Sequence, residues 1–128
     1  MDLKEYFENT EGLGILSTAD AKGNVDSAIY AAPHVMGEDS IAFIMRPRLS
    51  FNNLQQNPKA AYLYIEKGPG YQGRRLYLEK TGEVDDPEQV KQLRRSPHGD
   101  GGDEAEAKLV YFKVIRVRPL VGDGGQNG

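Results

Sequence analysis

Glycine, proline, asparagine and aspartate cut this chain into short apolar runs, and that punctuation restricts what it can fold into. Six runs have strand length: residues 13–19, 25–36, 40–45, 59–67, 74–84 and 108–117. No parallel strand–helix–strand alternation connects them, so antiparallel pairing in a barrel or sandwich is expected. Residues 20–24 (DAKGN) and 37–39 (GED) have the composition of tight turns. Pro33 lacks an amide hydrogen and demotes the far end of the second run to an edge or bulge. Gly82 marks a bulge in the fifth run. A chain of 128 residues supports one core. One domain over residues 1–121 is expected, with 122–128 (GDGGQNG) as a disordered tail.

Three short helices fit between these runs. Over residues 2–10, Asp2 can cap and Glu5 stands three positions on, as in a capping box. Leu3, Tyr6 and Phe7 share one face of that helix. Over residues 86–95, acids lead, Pro87 takes the first helical position, and arginines close. The third helix lies in residues 46–58, RPRLSFNNLQQNP, with Ser50 as its expected N-cap and a body at 51–57. Arg46 and Arg48 stand at its mouth. Helix-start amides and guanidinium forks together suit an anion. The same residues also read as a capped helix with two solvated arginines.

Composition excludes several functions. The net charge of −3 argues against a general nucleic-acid binder. No apolar run approaches the roughly 20 residues that span a bilayer. The opening MDLKEYFENT has no apolar signal core, so a cytoplasmic location is expected, with neither nucleic acid nor membrane as partner. Cysteine is absent, which removes disulfides, thiolate metal sites and cysteine nucleophiles. Two histidines, His34 and His98, are too few for a histidine-rich metal centre. His34 reads as a satisfied strand histidine or, more sharply, as a substrate contact or haem ligand. Tyr62 and Tyr64 share a strand face, either as packing or as a wall for a flat ring. Residues 68–75 (GPGYQGRR) lack the Lys-Ser/Thr of a P-loop and read as a hairpin loop able to lie over a ligand. There are no paired carboxylates placed for acid–base work and no nucleophile elbow.

The order of these elements carries more information than any single motif. Turn-linked strands lead to a short helix closing on Asn53-Leu54-Gln55-Gln56-Asn57-Pro58, then an apolar strand and a glycine-rich loop. This order resembles the flavin-binding split barrels of the pyridoxamine 5'-phosphate oxidase-like family, over residues 12–117. STADAKGNVDSAIYAAP is also similar to that family's first hairpin, with Val25 where a proline is usual. The resemblance implies a mainly β, six-stranded antiparallel split β-barrel of Greek-key type, homodimeric, with FMN at the interface. It assigns Ile29, Tyr30 and Ala31, with Phe43, Ile44 and Met45, to the isoalloxazine. It assigns Arg46, Arg48, Leu49 and Ser50 to the phosphate, and Arg75 to a flavin contact from the partner subunit. Two departures stand out: Ser50 occupies a position usually held by a phosphate-pairing lysine, and Ala28 one often held by arginine. Arg46 and Arg48 would substitute for them.

The chemistry so implied is electron or hydride transfer to a small molecule, carried by the flavin, with no catalytic side chain required to stand out. The alternatives are a non-catalytic flavin or haem binder and a dimeric scaffold whose cofactor site has decayed. Pyridoxamine 5'-phosphate oxidation itself is not expected, because those oxidases are longer and hold the substrate phosphate with a C-terminal extension.

Overall fold

The computed structural model describes residues 2–93 and 107–122. His98, the closing arginines Arg94 and Arg95, the acidic stretch through Glu106 and the glycine-rich end from 123 lie outside the described residues. In chain order the elements are α1 (Leu3–Asn9), β1 (Gly12–Ala19), β2 (Val25–Ile29), β3 (His34–Val35), β4 (Ser40–Met45), α2 (Leu49–Gln56), β5 (Lys59–Glu66), β6 (Gly73–Val84), α3 (Pro87–Leu93) and β7 (Lys108–Pro119). None of the described helices is long and apolar enough to cross a membrane.

The described residues form seven strands where six were expected. The run from 25 to 36 breaks at Ala31–Pro33, where proline has no amide hydrogen to give to a ladder. The two fragments end on opposite edges of one antiparallel sheet, ordered β2-β1-β5-β6-β7-β4-β3. The sheet is therefore not closed by hydrogen bonds. It curls enough for the Tyr30 ring, just past β2, to meet Phe43 of β4 edge-on at 5.7 Å.

The turns behave as their residues require. The Asp20 carboxylate accepts from the amides of Lys22 and Asn24 and from the Asn24 side chain, which holds its pKa below the usual carboxylate value. Gly82 lies at a register shift between β6 and β7, and a second shift falls at Tyr77/Leu78.

The main core lies inside the curl and includes Leu16, Ile41, Phe43, Met45, Tyr62, Leu76, Leu78, Val110 and Phe112. Strand alternation supplies it, since β1 buries Gly14, Leu16 and Thr18 and β5 buries Tyr62 and Tyr64. Helix α1 closes one side with Leu3 and Phe7. Its cap forms as expected, with the Glu5 amide donating to Asp2 Oδ1 at 3.1 Å. Helix α2 buries Phe51 and Leu54, and its Asn53 Nδ2 donates to Thr18 Oγ1 of β1 at 3.1 Å. A second, smaller cluster sits on the opposite face of β4 and β7. There α3 lays Val90 over Ala42, Ala107 and Leu109, with Ile44, Val84, Leu93 and Tyr111 around them.

Candidate functional site

The expected anion site sits where β2 leaves the sheet and α2 begins. Tyr30 still belongs to the ladder there, since its amide donates to the Gly14 carbonyl at 3.0 Å. Its phenol shares a hydrogen bond with Ser50 and feels the charges of Arg48 and Asp26. Burial pushes the Tyr30 phenol above its ordinary value; the Ser50 bond and Arg48 oppose that shift, and Asp26 adds to it. The hydroxyl therefore keeps its proton at neutral pH and remains a donor.

Helix α2 starts two residues earlier than expected. Arg48 is its N-cap, with extended backbone and no side-chain capping bond. Ser50 is not the cap: it lies inside the first turn, 4% exposed, with its hydroxyl drawn to Tyr30 instead. The shift follows from the geometry of β4, which ends at Met45 and leaves three residues, Arg46 to Arg48, to reverse direction. Arg48 donates its amide to the Arg46 carbonyl at 2.7 Å within that reversal. The first amides of α2 have no partner inside the helix.

The carbonyls behind this corner are pinned from β5. Tyr62 Oη lies 3.0 Å from the Tyr30 oxygen and 3.0 Å from the Ala31 oxygen, and donates to both. Its ring reaches them by crossing Gly14, where any Cβ would collide with the phenol and with the Tyr30 carbonyl. Gly14 is thus a clearance for a side chain. Tyr64 similarly donates to the Thr10 carbonyl at 2.8 Å and stacks on Tyr62 at 6.1 Å. Both tyrosines are core residues, 0% and 3% exposed, rather than a wall open to a ligand.

The remaining expected site residues are dispersed. Arg46 is half-buried, and Arg48 and Leu49 are exposed on the connection into α2. Ile29 is 71% exposed on the outer face of β2, and Ala31 is exposed just beyond it. Phe43 and Met45 point into the core, while Ile44 points the other way, beneath α3. Arg75 lies in the same outward row as Ile29, through Ile15 and Leu63. Three strand spacings separate Arg75 from Ile29, about 14 Å. Its Nε donates to the Pro119 carbonyl at 2.8 Å and its Nη2 to the Gly122 carbonyl, so within one subunit it ties down the end of β7. His34 is half-buried on the edge strand β3, opposite Ala42. The 68–73 connection is a hairpin loop with positive φ at Gly68, Gly70 and Gly73, and Tyr71 stands out at its tip. Among the described residues no group of acids and histidines is placed to hold a metal ion.

The sequence did not point to Gly14, Asp26 or the Asn53–Thr18 bond, and it offered Tyr62 as packing or a ring wall rather than as a donor to the Tyr30 and Ala31 carbonyls. A signal existed for two of them, because a glycine inside a strand often marks a close approach. The Tyr62-x-Tyr64 spacing supplies the approaching ring.

No protein-family model matches this sequence, and no curated protein matches it. Solved structures do match. An FMN-binding protein from Syntrophomonas wolfei superposes with a TM-score of 0.77 at 16% identity, covering 94% of this chain and 85% of that one. The Group A Streptococcus protein HupZ gives 0.73 at 16% identity, over 98% and 96%. A Clostridium acetobutylicum protein related to general stress protein 26 of B. subtilis, of the pyridoxinephosphate oxidase family, gives 0.66 at 12% identity, over 94% and 93%. At such identities the likeness is one of fold, and at that level the resemblance to the pyridoxamine 5'-phosphate oxidase-like split barrels holds.

Proposed function

We propose that this chain binds FMN at the Tyr30–Arg48–Ser50 corner, as a homodimer, and serves electron or hydride transfer to a small molecule. The carrying observation is that the Tyr30 phenol, from the end of β2, bonds the buried Ser50 hydroxyl in the first turn of an eight-residue helix, with the Arg48 charge near enough to act on that phenol. That donor set suits a phosphate: it offers neutral O–H groups, a charged guanidinium and the amides of a helix start, and the small Ala28 lies between Asp26 and Tyr30 in sequence. Bound flavin would supply reversible electron and hydride chemistry at its ring. This chain's part would be to anchor the phosphate through Arg48, Ser50 and Tyr30, and to hold the Tyr30 and Ala31 backbone rigid through Tyr62.

The homodimer is supported by an outward apolar patch, on which Val25 is 73%, Ile29 71% and Leu13 46% exposed. These residues flank Ile15 and Leu63. A second copy seated on that patch would bring its own Arg75 toward the flavin, and Arg75 would join the site in that way.

The test is a titration of cofactor-stripped protein with FMN, riboflavin and haem. FMN binding at least about tenfold more tightly than riboflavin, a difference of roughly 1.4 kcal/mol, would support a working phosphate corner. Equal affinity for the two flavins, or a preference for haem, would remove it. Turnover of a reductant by the loaded protein then separates an oxidoreductase from a non-catalytic flavin binder.

A further inference from the structure

We propose that the cleft between α1 and the paired ends of β1 and β5 is a second binding site, and that it takes an organic cation: a primary ammonium carried on a flat apolar body. The cleft comes up to the proposed flavin corner at Ala31, which follows Tyr30 in sequence. Its walls and charges do not depend on a flavin.

The cleft has a volume of about 960 Å³, within the range of small-molecule sites. Leu13, Ile65, Ala31 and Ala32 give it apolar walls. The largely buried rings of Phe7 and Tyr64, edge to face at 5.1 Å, line it as well. Long-range bonds fix this frame. The Tyr64 hydroxyl donates to the Thr10 carbonyl at 2.8 Å, and the Lys67 amide donates to the Glu11 carbonyl at 2.9 Å. The link from α1 into β1 is thus tied to β5 at two points, and walls pinned in this way lose little freedom when a ligand enters.

The charge around the cleft is negative. Among the described residues, Glu8, Glu11 and Glu66 line it together with Lys67, three charges against one, a net of −2. Lys67 is matched to Glu11, Nζ to Oε2 at 3.6 Å, so Glu8 and Glu66 remain. Glu66 is half-buried and already oriented, because Tyr6 Oη donates to its Oε2 at 2.8 Å. Burial and that bond push the Tyr6 phenol above its ordinary value, so it stays a donor. Oε1 of Glu66 is left as an acceptor. Arg74 stacks over the Tyr6 ring at 4.3 Å and does not line the cleft. A carboxylate held on one oxygen beside aromatic rings meets both ends of an apolar ammonium, with a charge-assisted bond for the head and ring surface for the body. An anion would face Glu8 and Glu66 as like charges, and a neutral ring would gain the apolar walls alone.

The experiment titrates isotope-labelled protein with 2-phenylethylammonium, 2-phenylethanol and phenylacetate, which share a ring and differ in charge, and follows the backbone amides by NMR. Saturable shifts should gather at Leu13, Ala31, Ile65 and Glu66. The ammonium should bind about tenfold more tightly than the alcohol, and phenylacetate should bind most weakly. Raising the salt from about 0.05 M to about 0.5 M should weaken the ammonium and leave the alcohol level. Glu66→Gln should lower ammonium affinity at least about threefold with the alcohol unchanged. Glu8→Gln, at an exposed position on α1, removes charge without touching the Tyr6 bond and should act in the same direction by a smaller factor. No saturation by the ammonium, equal affinity for all three ligands, or shifts that gather outside the cleft would each overturn the proposal, whatever the FMN titration shows.

Discussion

The two halves of the sheet's outer surface are built alike and finished differently. Over β4 and β7 the outward residues Ala42, Ile44 and Leu109 lie beneath α3, and Val90 seals them from water. Over β2 and β1 the outward residues Val25, Ile29 and Leu13 stand uncovered. Between them, β6 and β7 present a band in which Arg75 pairs with Arg118 and Tyr77 with Arg116. The Arg118 guanidinium lies over the Tyr77 ring at 5.6 Å. Alternation gives β1, β2, β4, β5 and β7 apolar outward residues such as Leu13, Ile29, Ile44, Leu63 and Leu109. What separates the halves is that α3 lies on one of them, and the uncovered patch is where the proposed second copy would sit.

That contrast can be broken from the covered side first. Leu109→Ala opens a cavity in a fully buried position and should cost about 2–5 kcal/mol, read from the shift in urea midpoint. A loss under about 1 kcal/mol would mean that α3 covers this half only loosely. At the corner joining the uncovered half to α2, Arg48→Ala should weaken FMN by about 1.5–3 kcal/mol, roughly ten- to a hundredfold. Riboflavin, lacking the phosphate, should bind the variant unchanged; parallel losses for both flavins would take Arg48 out of the phosphate contact.

Tyr62→Phe probes the pin behind that corner. It removes the donor shared by the Tyr30 and Ala31 carbonyls, and should destabilise the chain by about 1–3 kcal/mol. FMN and riboflavin affinity should fall together, since the backbone and not the anion contact is disturbed. Unchanged stability would show that water replaces the phenol at no cost. The smallest stability effect is expected on the bare half. Ile29→Asp should move monomer stability by no more than about 0.5 kcal/mol, yet should halve the mass seen by sedimentation. A chain that is monomeric before the substitution would end the dimer proposal.

Much of the fold was legible because its signals are local. The Asp20–Asn24 turn, the Asp2 cap, the Asp86-led helix and the Gly82 irregularity each follow from residues a few positions apart. The split of residues 25–36 was half legible. Pro33 announced a break, but that the pieces would occupy opposite sheet edges depends on pairings made far along the chain. The site was harder for the same reason. Ser50 has the chemistry of a cap, but the three-residue reversal after β4 starts the helix at Leu49, and the partner that takes the Ser50 hydroxyl, Tyr30, arrives from β2 twenty residues away. Arg75 reads as a free cation until the β7 end folds back onto it.

The edge-to-edge division at Pro33 also has a kinetic consequence. Of the sheet's pairings, β1–β2, β3–β4 and β5–β6 are hairpins that can close early. The ladders that make the curl are distant: Gly12 pairs with Glu66, and Ser40 pairs with Lys113 across more than half the chain. Loop-closure entropy must be spent on both before Tyr30 can meet Phe43. Folding should therefore be slow for a domain of this size, in the millisecond-to-second range typical of chains dominated by non-local contacts. The Tyr30–Ser50 corner, assembled from the end of β2 and the start of α2, would be among the last parts to form.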